Sequence, residues 1–271
     1  MKVRFLIPRD PLAPQQPEEN YAEEYQAARE AGFSASLFDF DSIALGDLSV
    51  RPRFEEGETI VYRGWMMTPE TYKAFHSLVE SPSRCLITSP DEFKKCHYLP
   101  EWLQDAEGLT AETIVFPEED NPDVISTELQ RLDWTGCFIK DYVKSNSDEI
   151  GSIARTLDGV GPILEKLILY RGEIEGGICA RRIEEFRPGS ERRFFVLHGI
   201  PHATSGEIPQ IVKTIAERIQ CPFFTVDIAE RADGEMRIIE LGDGQVSDKK
   251  DWHAEQIVAM FSALAKQGTA I

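Results

Sequence analysis

No stretch of this sequence approaches the roughly 20 consecutive apolar residues that span a bilayer. Its opening, Met1-Lys2-Val3-Arg4-Phe5-Leu6-Ile7-Pro8, is too short and too soon polar for a signal peptide. Cysteine is sparse: Cys85, Cys96, Cys137, Cys179 and Cys221 are scattered, odd in number and free of any C-x-x-C pair. That excludes a disulfide framework and a cysteine zinc site, and it suits a reducing compartment. The five histidines show no H-x-x-x-H spacing. Positive charge is also short, with 29 Lys and Arg against 47 Asp and Glu and a net charge of −18. Such a surface repels nucleic acid and anionic lipid, so neither is expected as a partner, and a cytoplasmic location is expected. There is no G-x-x-x-x-G-K-[ST] loop, no G-x-S-x-G elbow and no internal repeat. The glycines of Asp158-Gly159-Val160-Gly161-Pro162 follow no strand and run into a proline, which makes them a helix break rather than a dinucleotide loop.

What is present is an ordinary globular mixture, 42% hydrophobic and 28% charged, in 271 residues. That length supports one large core or two modest ones. Lys2 to Ile7 reads as a strand, the proline-rich stretch to Pro17 as a loop, Glu18 to Ala31 as a helix stopped by Gly32, and Ser34 to Phe38 as a strand. This opening has the form of a small doubly wound unit. Thr59 to Arg63 is a further strand, and a helix follows from Thr68. The second half changes character: strands at Cys137–Val143, Gly177–Phe186, Arg192–Leu197, Phe223–Ala229 and Arg237–Leu241, with helical patterns over Asp148–Tyr170, Ile208–Ile219 and Trp252–Lys266. The expected fold class is therefore α+β, an α/β N-terminal domain over residues 1–132 and an antiparallel-sheet domain over residues 133–271.

The chemistry-bearing segment is Phe223-Phe224-Thr225-Val226-Asp227-Ile228, then Asp233-Gly234, then Met236-Arg237-Ile238-Ile239-Glu240-Leu241. Asp-Gly between two apolar runs signals a two-residue hairpin loop. With Asp233 and Gly234 in the loop, Ala232 pairs with Glu235 and Asp227 falls opposite Glu240. Two carboxylates that close repel unless something intervenes. A divalent cation such as Mg²⁺ does so, since it is often held by one or two carboxylates and substrate phosphates. Salt bridges to nearby arginines, or a solvated surface pair, are the other readings. Asp243, in Gly242-Asp243-Gly244-Gln245, joins the site if the glycines turn the chain back.

Arg181, Arg182, Arg187, Arg192 and Arg193 fall on two strand-like runs joined by Pro188-Gly189. Alternation lets one arginine from each run share a face and clamp phosphate oxygens; pairing with Glu184, Glu185 and Glu191 is the plainer reading. Lys140, Tyr142 and Lys144 likewise share one strand face, where the lysines suit a polyphosphate or simply face water.

Together these pieces resemble the ATP-grasp enzymes. They resemble most closely the divergent clade containing the eukaryotic cell-division-cycle protein that assists assembly of translation initiation factor two, with its bacterial and phage relatives. The resemblance runs over Lys140 to Val246. It rests on Phe138-Ile139-Lys140-Asp141, Ala180-Arg181-Arg182, Pro188-Gly189 with Glu191-Arg192-Arg193-Phe194-Phe195-Val196, Val226-Asp227-Ile228 and Ile238-Ile239-Glu240-Leu241-Gly242-Asp243. It implies that Lys140, helped by Lys144, meets the nucleotide phosphates and that Arg181 and Arg193 flank the triphosphate. Lys140 and Arg193 are thereby the candidate catalytic groups. It also implies that Arg182, Ile183, Glu184 and Glu185 pass the adenine and that Asp227 and Glu240 hold Mg²⁺. Where the family has an asparagine two residues after the second carboxylate, this chain has Gly242, and Asp243 comes one later.

The implied activity is ATP-dependent ligation. A carboxylate would be activated as an acyl phosphate and attacked by an amine, and either substrate can belong to a peptide or protein. A nucleotide-binding assembly factor and a phosphotransferase are the alternatives. Arg63, Trp65 and His97 are expected to line a cleft, on the same resemblance.

Overall fold

A computed structural model describes residues 2–143, 152–172 and 174–267. The first five strands, β1 (Lys2–Pro8), β2 (Ser34–Phe38), β3 (Val50–Arg51), β4 (Glu58–Tyr62) and β5 (Arg84–Leu86), form one sheet in the order β3-β2-β1-β4-β5. All its pairings are parallel except β2 with β3. This is the doubly wound arrangement expected of the opening residues. The parallel strands are buried on both faces, so they read as the unbroken apolar runs Phe5-Leu6-Ile7 and Ile60-Val61-Tyr62. Phe5, Ile7, Leu37 and Val61 pack with Ala27, Ala28, Ile257 and Phe261 on one side. Leu6, Phe38, Ile60 and Tyr62 pack with Tyr72, Phe75 and Val79 on the other. The helix Ala22–Glu30 ends at Gly32, whose φ of +83° suits a residue without Cβ. The helix Pro69–Val79 starts from a Thr68 side chain that caps the Thr71 amide.

Next come β6 (Thr113–Phe116), β7 (Cys137–Asp141), β8 (Ile153–Ala154) and β9 (Ile178–Arg181), in the order β6-β9-β7-β8, with every pairing antiparallel. Ile139, Ile178 and Ala180 bury one face of this sheet against Ile125 and Leu129 of the helix Pro122–Arg131 and Leu164 and Leu167 of the helix Val160–Arg171. The helix expected over Asp148–Tyr170 begins only at Val160: Ile153 and Ala154 pair instead with Phe138 and Cys137, and residues 148–151 lie outside the described residues. Pro162 then falls in the first helical turn, where its missing N–H leaves no bond unmade.

The last four strands, β10 (Arg192–Leu197), β11 (Ile200–His202), β12 (Phe223–Glu230) and β13 (Met236–Asp243), are ordered β11-β10-β12-β13. β9 and β10 therefore do not form the hairpin that Pro188-Gly189 suggested; they belong to different sheets. The chain also divides otherwise than at residue 132. One compact unit comprises 1–96, 193–226 and 242–271, and the other comprises 97–192 and 227–241. β12 and β13 run on from one unit into the other, so no single cut in the sequence separates them.

Candidate functional site

The second unit carries most of the expected site. Register across β6, β9 and β7 aligns Thr113, Arg181 and Phe138 in one row and Val115, Cys179 and Lys140 in the next. With Ile139 and Ala180 turned to the helices, strand alternation turns Phe138, Lys140 and Arg181 to the opposite face. On that side lies a cavity of about 340 Å³. Phe138 and Arg181 line it, together with Arg182, Ile183 and Glu184, then Pro188 to Glu191 of the same segment, and Ala229, Ile238 and Ile239. Segment 182–191 is held beside the β12–β13 turn by its backbone: Arg187 N–H donates to the Glu230 carbonyl (2.8 Å), and Glu185 accepts from Ala232 N–H (2.9 Å).

Arg181 is 7% exposed, and among the described residues its guanidinium meets no carboxylate in hydrogen-bonding range. It donates from Nη1 to the Ile239 carbonyl (2.7 Å) and from Nη2 to the Thr110 hydroxyl (2.5 Å), and its buried Nε has no partner. Burial lowers its pKa, against the pull of Glu240. Arg182, one residue on, points the other way, to Glu112 Oε2 (2.7 Å) and over the Trp134 ring (4.5 Å). Glu184 accepts through Oε1 from Arg237 (3.0 Å) and Arg231 (3.3 Å), while its buried Oε2 has no partner. Lys140 is buried, and its Nζ donates to Glu240 Oε1 at 2.7 Å, a contact between residues 100 apart in sequence.

Asp227 is buried on β12, on the same face as cavity-lining Ala229. The hairpin that carries it differs from the expected one at its turn. Gly234 N–H donates to Arg231 C=O (2.9 Å) and Arg231 N–H to Glu235 C=O (2.7 Å), so the loop has three residues, Ala232 to Gly234, with Gly234 at φ +95°. Ala232 cannot pair with Glu235 because its amide is taken by Glu185. At the other end Gly244 N–H donates to Phe223 C=O (3.0 Å), which is the expected count. Between Arg231 and Phe223 the chain after the turn thus carries one residue more than β12, a bulge. The buried residues Ile238 and Leu241 stand three apart, as an inserted residue requires.

Lys144 is outside the described residues. Arg193 belongs to the first unit, where it donates to the Asp248 carboxylate (2.6 Å) and carbonyl (2.9 Å). Asp243, also in the first unit, accepts at Oδ1 from Gln245 N–H (2.9 Å) and Nε2 (3.2 Å) and is fully buried; desolvation pushes its carboxyl up to about 7. Among the described residues no three His, Cys, Asp or Glu side chains are grouped to hold a metal. Asp227 and Glu240 are hard carboxylate donors on neighbouring strands, the donor type that suits Mg²⁺ when phosphates complete its shell. Arg63 does not line a cleft: it is fully buried, with its guanidinium on Glu24 and on the Gly244 carbonyl. Trp65 is half-buried, edge-on to Phe40 at 5.1 Å, and His97 is buried.

Sequence reasoning missed the apolar lining, Phe138, Phe186, Ile238 and Ile239. For Phe138 a signal existed, since it stands two residues before Lys140 and so shares its face.

Residues 108–264 match the ATP-grasp domain, R2K clade family 3. No curated protein matches. Among solved structures, the D-cycloserine synthetase DcsG is similar at 17% identity and a TM-score of 0.64, over 98% of this chain and 99% of that one. The macrocyclase MdnC bound with precursor peptide MdnA, from Microcystis aeruginosa MRC, shows 12% identity, a TM-score of 0.62 and coverage of 97% and 100%. The D-alanine–D-alanine ligase from Coxiella burnetii shows 11%, 0.62, and 99% and 97%. At these identities the likeness is one of fold, and it extends over the whole chain rather than the matched segment alone. The narrower kinship with the cell-division-cycle assembly factor remains a reading of the motifs.

Proposed function

We propose that this chain, which belongs to the ATP-grasp domain family of the R2K clade (family 3), is an ATP-dependent ligase that activates a carboxylate as an acyl phosphate for attack by an amine. The observation that carries the reading is the Lys140–Glu240 ion pair, 2.7 Å long, on the strand face that borders the cavity. Without a nucleotide, lysine and carboxylate neutralise each other. With MgATP, each has a stronger partner of opposite sign, the lysine a phosphate and the carboxylate the metal. Arg181, without an ion pair among the described residues, is a second cation on the same face, poised for a phosphate oxygen. Ile183, Phe138 and Ile239 supply apolar surface for a purine, and Arg182, Glu184 and Glu185 belong to the segment beside it. Asp227 and Glu240 are the metal ligands of this reading. Mg²⁺ held there would offset charge on the transferring phosphoryl group. The chain's own part is electrostatic: Lys140 and Arg181 bind and orient the phosphates, and no side-chain nucleophile is required. The peptide-bound macrocyclase and the D-alanine–D-alanine ligase of the same fold support an acceptor that is an amino acid or peptide.

Calorimetric titration with ATP tests this, in Mg²⁺ and then in EDTA. The folded protein should bind in the micromolar range, only with Mg²⁺, and Asp227→Ala and Glu240→Ala should each lose at least about tenfold in affinity. A well-folded protein that binds no ATP at any Mg²⁺ concentration would refute the proposal.

A further inference from the structure

The first unit holds a second cavity, of about 590 Å³, that the nucleotide reading does not use. It lies beyond the carboxyl ends of β1 and β2. Arg9 follows β1 directly and Asp39 follows β2, and both line it with Leu37, Asp47, Ser49 and Arg51. The loop after β1 is preformed: Arg9 and Pro17 bridge at its base, Asp10 Oδ1 accepts from the Leu12 and Ala13 amides, and Pro11, Pro14 and Pro17 stiffen it.

The lining holds two guanidinium groups and two carboxylates. Arg9 and Asp39 already pair through Nη2, which leaves the buried Arg9 Nε without a partner. Arg51 and Asp47 make no ion pair among the described residues. One cation and one anion thus remain open, joined by one free guanidinium N–H. A ligand of a single charge would leave its opposite unmatched, whereas a zwitterion meets both. Leu37 and Tyr25 add apolar surface to the lining. The volume is in the range of small-molecule pockets and exceeds what a bare ion needs.

We propose that this cavity binds a short peptide with free termini, its carboxylate on Arg51 and the Arg9 Nε–H and its ammonium on Asp47. The site is built within the first unit, so the proposal stands whether or not the second unit binds ATP. Full-length protein should be titrated by calorimetry, without nucleotide, with each of the Ala-X dipeptides and with N-acetylated and C-amidated forms of the best one. A free dipeptide should bind with a millimolar or better Kd. Blocking either end, or replacing Arg51→Ala or Asp47→Asn in protein whose melting is unchanged, should weaken it about tenfold. Absence of binding by every dipeptide, blocked forms that bind as well as the free one, variants that bind as well as the wild type, or inorganic phosphate bound in the dipeptides' stead would each overturn it.

Discussion

Two of the buried arginines at sheet strands, Arg63 and Arg181, are held in opposite ways. Arg63, just past β4, is saturated: Nε and Nη2 reach both oxygens of Glu24 (2.6 and 2.7 Å), Nη1 reaches the Gly244 carbonyl, and the group lies over the Phe195 ring. Burial would lower its pKa, but the Glu24 carboxylate outweighs burial and raises it. Arg181, at the end of β9, has among the described residues two neutral acceptors, an unpartnered Nε and no carboxylate in range, and burial wins. A charge buried with its counter-charge is a finished structural element. A charge buried without one is stable only because the rest of the fold holds it there, and it has a strong preference for an anion that arrives later. On sequence both looked like site residues. Their partners separate them.

The largest expected effect comes from unmaking the finished pair. Arg63→Ala leaves Glu24 buried and unpaired, which should destabilise the protein by about 3–5 kcal/mol in denaturant unfolding. Loss of less than about 1 kcal/mol would mean that Arg63 is not a structural element and would return it to the list of site candidates.

Asp243 sharpens the same contrast in the first unit. Its folded pKa of about 7 lies above the value of about 3.9 for an unfolded chain, so between these limits the folded state holds the extra proton. Stability should therefore decline as pH rises from about 4 to about 7, by up to about 4 kcal/mol, and level off above. Asp243→Asn should flatten that decline in unfolding curves measured across the range. If the same variant keeps Mg²⁺-dependent ATP binding, Asp243 is a core acid. If it loses that binding while still folded, the metal role inferred from its position in the motif is restored.

What the sequence made legible were features that local physics dictates. The helix stop at Gly32, the Thr68 cap and the apolar runs of β1 and β4 each follow from a few neighbouring residues. What it hid were non-local pairings. Pro188-Gly189 is a good hairpin signal, but the segment around it pairs with the β12–β13 turn through Phe186 and Arg231, over 40 residues away. The same contact takes the Ala232 amide and turns a two-residue loop into a three-residue one. Lys140 and Glu240 were each singled out, for different roles, with nothing in either local pattern to say that they touch. The domain boundary was hidden for a related reason: β12 and β13 cross between units in mid-strand, where composition does not change.

The smallest structural effect and the sharpest functional one should come together at Arg181, the last residue of β9, and Arg182, the next, whose guanidinium groups have different partners. Arg181→Ala removes two hydrogen bonds to neutral acceptors but also a desolvated charge, so it should change stability by only about 1 kcal/mol. Under the proposed function it should weaken ATP about 10- to 100-fold, because a guanidinium–phosphate bond is lost inside a water-poor cavity. Arg182→Ala removes a half-exposed ion pair with Glu112 and a stack on Trp134, which after solvent screening is worth about 1 kcal/mol or less. Its guanidinium is committed to those two partners, so ATP affinity should move by no more than about threefold. Calorimetry on the two variants side by side decides the matter. Equal losses at both positions would mean that general positive charge attracts the nucleotide. A loss confined to Arg181 would mean that the buried, half-satisfied arginine is the group that meets it.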